Sequence, residues 1–372
     1  MQDKVNSDYL PPSQRVPLNV LVSVFKNTQN SYKYLLLLSI LRNLKSNLYS
    51  GSRVFSLEEL QAEMLTIAWY PHNFFKLSFG TQDKVSRMLD DLPEPKIKLK
   101  SDTVYHIIEL KNHIKKNMKD LSLMRYVPYR LIRSFFSKET KGLQDSKVNK
   151  KVSYLAQEKF DEIKPLYYVD DSEKVLIIHT DWLHYLYSNI SIVEEWALWE
   201  WLQYMQLKNP NTTNLSAKLL PPEERKPLKK QREFWKKAIS SSTIQCPYSG
   251  IELKHESFAL DHFLPWSFVV HDRIWNLVPT SHEINSKKSD QLPNICYLNK
   301  VIENHFNAIH TTKYIFGKRK WRNYIEEYIT DLKMDEKTLQ NKNDFSEKYS
   351  QQVTTMLFLA KAQGFTTDWK WN

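Results

Sequence analysis

Residues 257–290 read SFALDHFLPWSFVVHDRIWNLVPTSHEINSKKSD, and this pattern predicts a strand, a loop, a second strand and a helix. SFALD at its start alternates enough for a strand, and WNLVPT (275–280) suits a second one. Thr280 or Ser281 can cap the helix, and Glu283 stands three residues after Thr280, which is the spacing of a capping box. Such a unit can close around one point, with groups from the first strand and the helix facing each other.

Asp261 and His262 form a polar pair in apolar surroundings, where burial is costly unless both groups find partners. On a regular strand their side chains would point to opposite faces. Pro265 follows closely and cannot donate a ladder hydrogen bond, so we expect the strand to end or bend there. Both side chains can then serve one site.

Three polar residues downstream complete the candidate site. Asn276 precedes LVPT, and Asn285 and Lys288 are three residues apart, so both can lie on one helix face. The Asp261 carboxylate and the Asn285 side-chain oxygen are ligands that Mg²⁺ prefers. His262 titrates near neutral pH and can accept a proton from an attacking water. We expect Lys288 to offset charge on a phosphate and Asn276 to tie the loop through backbone hydrogen bonds.

The same residues resemble the HNH (ββα-metal) nucleases, because LDHFLPWSF, NLVPT and NSKKSDQLP stand in the order and spacing of that family. The likeness is greatest to the HNH domain of RNA-guided CRISPR effector nucleases, where a DH pair, Pro-x-Ser-Phe and an Asn-x-x-Lys-Ser-Asp run recur. It covers roughly residues 232–293. The resemblance implies that Asp261 and Asn285 bind Mg²⁺ or Mn²⁺, that His262 is the general base, and that Asn276 supports the fold.

The chain departs from the family in its cysteines. Many HNH proteins hold a structural zinc with two CxxC pairs, whereas this chain has Cys246 with Ser249 and Ser281 with Ile284 at those places. One cysteine of four remains, so we expect no structural zinc. The packing of aromatic residues is expected to stabilise the module instead, with candidates Phe234, Trp235, Tyr248, Trp266 and Trp275.

The composition of the chain favours some classes of function and argues against others. The 372 residues are too many for one small core, and the net charge of +11 suits a polyanionic partner such as DNA, with RNA an alternative. Only 6 glycines occur, and both GxGxxG and GxxxxGK[ST] are absent, which argues against a dinucleotide-binding or P-loop enzyme. Two cysteines, no signal peptide and no long apolar run favour a cytoplasmic protein without a membrane association.

The fold class that we predict is α+β and predominantly α-helical, with the ββα-metal (HNH) module embedded between helical regions. Residues 136–152 are polar and basic and are predicted to form a linker. The four predicted regions are an N-terminal helical domain (1–135), a hairpin with an aromatic-rich helical region (153–210), the HNH module (225–298) and a C-terminal helical extension (299–372).

The resemblance implies a metal-dependent endonuclease that hydrolyses phosphodiester bonds in DNA, and bacterial HNH proteins of this build suggest an effector of restriction or anti-phage defence. A protein partner encoded nearby is expected to inhibit so basic an effector. Two alternatives stay open: a nonenzymatic nucleic-acid-binding or complex-forming protein with a degenerate site, and an RNA-cleaving nuclease.

His282 is an alternative metal ligand to Asn285. Phosphate contacts are expected from basic residues near the site, namely Lys229, Lys230, Arg232 and Lys287.

Overall fold

A computed structural model describes residues 10–26, 28–47, 51–95, 103–170, 172, 174–221 and 227–371. The chain divides into two compact units, Met1–Pro210 with Leu215–Glu224, and Asn211–Asn214 with Arg225–Asn372. Helices dominate and the sheets are small, which confirms the predicted predominantly helical α+β class. Among the described residues, no helix combines the length and the apolar character needed to span a membrane.

Within its described residues, the first unit is helical apart from one small sheet. Its strands are β1 (Val54–Ser56), β2 (Tyr167–Asp170) and β3 (Val175–Ile178). Its helices are α1 (Leu18–Ser23), α2 (Tyr32–Ser46), α3 (Leu57–Trp69), α4 (Lys84–Asp90), α5 (Thr103–Asn117), α6 (Val127–Ile132), α7 (Asp145–Glu158), α8 (Phe160–Ile163), α9 (Thr180–Lys208) and α10 (Leu215–Lys218).

The sheet of the first unit has the order β1-β3-β2, and both strand pairs are antiparallel. β2 and β3 form the hairpin that the sequence predicted, and β1 adds a strand from the region that the sequence indicated as purely helical. The linker prediction for 136–152 is wrong in its second half, because α7 begins at Asp145. Val148 and Val152, four residues apart among lysines, are buried on one face of this helix.

Where the structure describes it, the second unit holds the strands β4 (Ala259–His262) and β5 (Leu277–Thr280) among six α-helices. Around one core, Trp235 and Trp275 are buried together with Phe234 and Tyr248, four of the five aromatic residues predicted to stabilise the module. The fifth, Trp266, is half-buried. The helices are α11 (Lys229–Ser241), α12 (Trp266–Val269), α13 (His282–Lys288), α14 (Leu298–Ile315), α15 (Lys318–Asp331) and α16 (Lys342–Ala362).

β4 and β5 form an antiparallel pair in which every residue is buried. Both strands are therefore buried on both faces and do not alternate between buried and exposed residues as a half-exposed hairpin would. Pro279 lies opposite Leu260. It is tolerated because each strand of a two-stranded sheet is an edge strand, with one side free of ladder bonds.

Candidate active site

The hairpin and α13 bring the candidate residues into one small structure. In β4 and β5, Asp261 lies opposite Val278 and His262 lies opposite Leu277, and β4 ends at His262. α13 begins after Ser281, whose hydroxyl accepts a hydrogen bond from Ile284 N at 3.2 Å. Ser281 is thus the cap, and the capping box that the spacing of Thr280 and Glu283 suggested does not form.

Asp261 is buried in a charged hydrogen-bond cluster, with a side chain 3% exposed. Its Oδ2 accepts a hydrogen bond from the Tyr248 hydroxyl at 2.5 Å and lies 3.0 Å from Lys288 Nζ. Burial raises the pKa of Tyr248 well above its usual value, and the charge of Asp261 adds to this effect. Tyr248 therefore keeps its proton, and its hydroxyl donates a hydrogen bond to the carboxylate.

Lys288 is fully buried, and its ammonium group is used within the protein. Nζ donates to Asp261 Oδ1 at 3.2 Å and to the backbone oxygen of His262 at 2.7 Å. The sequence assigned this lysine to a substrate phosphate, whereas the structure places its charge on Asp261. A buried carboxylate needs such a partner, because an unpaired buried charge is strongly destabilising.

His262 has a different set of neighbours from Asp261. Its Nε2 lies 2.9 Å from Oδ1 of Asp272, a residue of the loop between the two strands, and its side chain is 10% exposed. Adjacent residues of a strand point to opposite faces. The Asp261 side chain therefore faces α13, and the His262 side chain faces the loop between the strands.

Asn276 closes the loop between the strands. Its Oδ1 accepts from Leu264 N at 2.8 Å, its Nδ2 donates to Leu264 O at 2.9 Å, and its backbone oxygen accepts from Phe263 N at 2.8 Å. These three bonds hold the segment that follows His262 against the start of β5. Asn276 itself is 1% exposed.

Asn285 and Lys288 lie one turn apart on α13, on the helix face that approaches β4. Asn285 is half-buried, and Asp261 Oδ1 makes a longer contact with Lys288 than Oδ2 does. An amide oxygen of Asn285 and a carboxylate oxygen of Asp261 are hard donors, the kind of ligand that a divalent cation such as Mg²⁺ prefers. His282, the alternative ligand, is exposed at the start of α13.

Residues 246–294, which span this whole arrangement, match the family model of HNH endonucleases. The chain contains an HNH endonuclease domain. A search of curated proteins and a search of solved structures found no match to the chain. HNH nucleases generally depend on a divalent metal ion and act on nucleic acids.

Cys246 and Gly250 lie in the turn where the resemblance suggested that a zinc-binding cysteine pair had been lost. Cys246 N donates to Ile251 O at 2.8 Å and Gly250 N to Cys246 O at 2.9 Å, with Gly250 at a φ of +73° that favours glycine. Cys246 Sγ lies 3.1 Å from Thr280 Oγ1, and Ile284 is part of the core. Across the described residues, no three His, Cys, Asp or Glu side chains group closely enough to hold a metal.

The four basic residues expected at phosphates have unequal surroundings. Lys230 donates to Asn323 O at 2.9 Å, and Arg232 donates to Phe258 O at 2.9 Å while its guanidinium lies over the Phe258 ring. Lys287 pairs with Glu283 at 2.8 Å on the surface of α13. Lys229 is exposed at the start of α11. All four residues are exposed, but the head groups of Lys230 and Arg232 are already bonded to backbone oxygens of the same unit.

Sequence reasoning missed the carboxylates that surround the loop after α12. Asp272 contacts the predicted base, and its only signal in the sequence was its place in HDR, ten residues after His262. Glu327 and Asp331 contact the same loop from α15. No pattern in the sequence connects them with the site, because more than fifty residues separate them from the loop.

Proposed function

We propose that this protein is a divalent-metal-dependent endonuclease that hydrolyses phosphodiester bonds in DNA. The observation that carries the proposal is the convergence of β4, the loop and α13 in a segment that matches HNH endonucleases. A histidine, a carboxylate and an amide on these adjoining elements support the proposal. The basic chain, at +11, supports a polyanionic substrate.

Each residue has a distinct task in the proposed reaction. His262 accepts a proton from the attacking water as its oxygen bonds to phosphorus, and the bond from phosphorus to the leaving sugar oxygen breaks. Asp261 and Asn285 would hold Mg²⁺ or Mn²⁺, and the bound ion would supply polarisation of the phosphoryl oxygen and stabilisation of the charge on the leaving oxygen. Lys288 and Tyr248 orient the Asp261 carboxylate, and Asn276 holds the strand end that presents His262.

A biological role in restriction or anti-phage defence follows only from analogy with bacterial HNH effectors. We propose it on that basis, together with a protein partner that restrains so basic a nuclease in the cytoplasm. Phage plating on cells that produce the wild-type protein or the His262→Ala variant tests this role. Equal plating on both strains, with cleavage in vitro intact, would remove the defence role and leave the nuclease proposal standing.

The test of the activity is cleavage of supercoiled plasmid with Mg²⁺ or Mn²⁺, by the wild-type protein and by His262→Ala. The matched control is His255→Ala, which removes an exposed histidine of the same unit that pairs with Glu256. We expect nicked or linear product from the wild type and the control, and a loss of about 100-fold or more in His262→Ala.

Each other outcome decides between the alternatives. Equal cleavage by wild type and His262→Ala would remove His262 as the base. Cleavage of an RNA of the same sequence, with DNA left intact, would make the protein a ribonuclease. No cleavage of either polymer with any divalent ion would favour a binding or complex-forming protein with a degenerate site.

A further inference from the structure

The contact between His262 and Asp272 has a chemical consequence for the proposed base. The distance from His262 Nε2 to Asp272 Oδ1 is 2.9 Å, and the two side chains are 10% and 27% exposed. An ionised carboxylate only accepts hydrogen bonds, so Nε2 must carry a proton in this contact. In the neutral imidazole the other nitrogen, Nδ1, is then unprotonated and able to accept one.

We propose that Asp272 is the positioning residue of the site, fixing the ring orientation and the tautomer of His262 so that Nδ1 acts as the base. This inference rests on the proposed function, since it concerns the same histidine. A base whose tautomer is selected in advance needs no ring flip before each proton transfer, and its nitrogen stays at one place relative to the attacked phosphorus. Asp272 acts through His262 and needs no contact with the substrate.

The loop that carries Asp272 is itself firmly held. Gln231 of α11 donates through Nε2 to the backbone oxygen of Asp272 at 2.8 Å. On the other side, Arg273 Nε lies 3.3 Å from Asp331, and Glu327 accepts a hydrogen bond from Ile274 N at 2.5 Å. The backbone of Asp272 and the two residues that follow it are therefore fixed, which is what a positioning role requires.

Two more bonds continue this attachment to the C-terminal helices. Trp275 Nε1 donates to Asp331 Oδ2 at 2.9 Å, and the Tyr349 hydroxyl donates to the backbone oxygen of Trp275. α15 and α16 lie outside residues 246–294, the segment that matches the HNH family. The position of the carboxylate behind the base thus depends on helices that this chain adds to the family's module.

The first arm of the test measures cleavage under single-turnover conditions, with supercoiled plasmid and Mn²⁺. Asp272→Ala is expected to slow the cleavage step by about 100-fold, the scale of a misplaced catalytic group, with little change in plasmid binding. Asp272→Glu, which keeps the carboxylate, is expected to recover part of the rate. Glu347→Ala is the matched control, because it removes the same charge from an exposed position on α16.

Two further measurements separate positioning from a general structural role. In a double-mutant cycle, adding Asp272→Ala to His262→Ala should cause little further loss of cleavage rate, because Asp272 acts only through that histidine.

In protein labelled with ¹⁵N-histidine, at about pH 8 where a usual histidine is neutral, His262 should be protonated at Nε2 in the wild type. Asp272→Ala should shift it towards a mixture of tautomers. The His262 signal is assigned with His262→Gln.

Wild-type cleavage by Asp272→Ala, or an unchanged His262 tautomer in that variant, would overturn the inference. The spectroscopic arm needs no substrate, so it still decides the role of Asp272 if the wild-type protein cuts neither DNA nor RNA. In that case the proposed function fails, while the hydrogen bond and its effect on the tautomer are judged separately. Circular dichroism of each variant confirms that it is folded before either arm is read.

Discussion

The ammonium group of Lys288 lies 3.0 Å from Asp261 Oδ2, and neither side chain is more than 3% exposed. Lys288 also donates to the backbone oxygen of His262 at 2.7 Å, so one lysine contacts both residues of the DH pair. The contacts of Lys288 with Asp261 and His262 therefore stabilise the fold, in addition to any part that these two residues have in the proposed chemistry. In the proposed reaction, a cation at the Asp261 carboxylate would lie beside this internal positive charge, and Asn285 would supply a neutral ligand.

Replacing Lys288 with Met should destabilise the protein by about 3–5 kcal/mol, because Asp261 would stay buried without a counter-charge. Lys287→Met is the matched control on the same helix. Its salt bridge with Glu283 is on the surface, where such pairs contribute about 0–1 kcal/mol. Urea denaturation followed by circular dichroism measures both. An equal loss of unfolding free energy in the two variants would show that the buried pair contributes no more to stability than the surface pair.

Replacing Asn276 with Ala should cost about 1–3 kcal/mol, because Leu264 N and Leu264 O lose their partners in a buried loop. Asn343→Ala, the same substitution at an exposed position of α16, should stay within about 0.5 kcal/mol of the wild type. The same urea experiment compares them. The prediction is wrong if the Asn276 variant unfolds at the same urea concentration as the control.

Replacing Asn285 with Ala should weaken Mn²⁺ binding about 10-fold or more, which corresponds to about 1.4 kcal/mol of binding free energy. The reason is that the substitution removes one of the two protein oxygen ligands of the proposed metal site, which otherwise relies on water. Titration calorimetry with Mn²⁺ in the absence of DNA gives the affinity. Ser286→Ala, at the exposed neighbouring position, should bind like the wild type. Unchanged affinity in Asn285→Ala would remove this residue from the metal site.

Acid should destabilise the protein through buried histidines. Burial lowers the pKa of His271 to about 4 and that of His305 to about 3. An unfolded histidine has a pKa of about 6.5, so below that pH the unfolded chain binds protons that the folded chain does not, and stability falls as pH falls. For His305 the expected loss between pH 6.5 and pH 5 is about 2 kcal/mol.

Urea denaturation at these two pH values measures this loss. His305→Asn should show a smaller difference between them, whereas His255→Asn, at an exposed position, should behave like the wild type. A difference as large in His305→Asn as in the wild type would contradict the assignment. Comparing differences and not absolute stabilities cancels the cost of the substitution itself.

Patterns within a few residues were enough to predict the order of strands and helix in the HNH segment of the second unit. The strand–loop–strand–helix order follows from apolar runs, Pro265 and a serine cap, all of which act over a few residues. The same patterns failed where two signals compete at one place. At the start of α13 both Thr280 and Ser281 can cap, and Thr280 turns inward to Cys246, which leaves Ser281 as the cap. In residues 136–152, the many lysines led to a linker prediction, although Val148 and Val152 have the spacing of an apolar helix face.

The sequence by itself determined which residues belong to the HNH segment, because the motif's chemistry and spacing are local. Only the tertiary structure decided which groups pair within it. Tyr248 and Lys288 enclose Asp261, whereas Asp272, held by α11 and α15, contacts His262. Such partners are chosen by the packing of distant segments around one core. A buried charge needs a neighbour in space, and the linear order of residues does not specify which neighbour that will be.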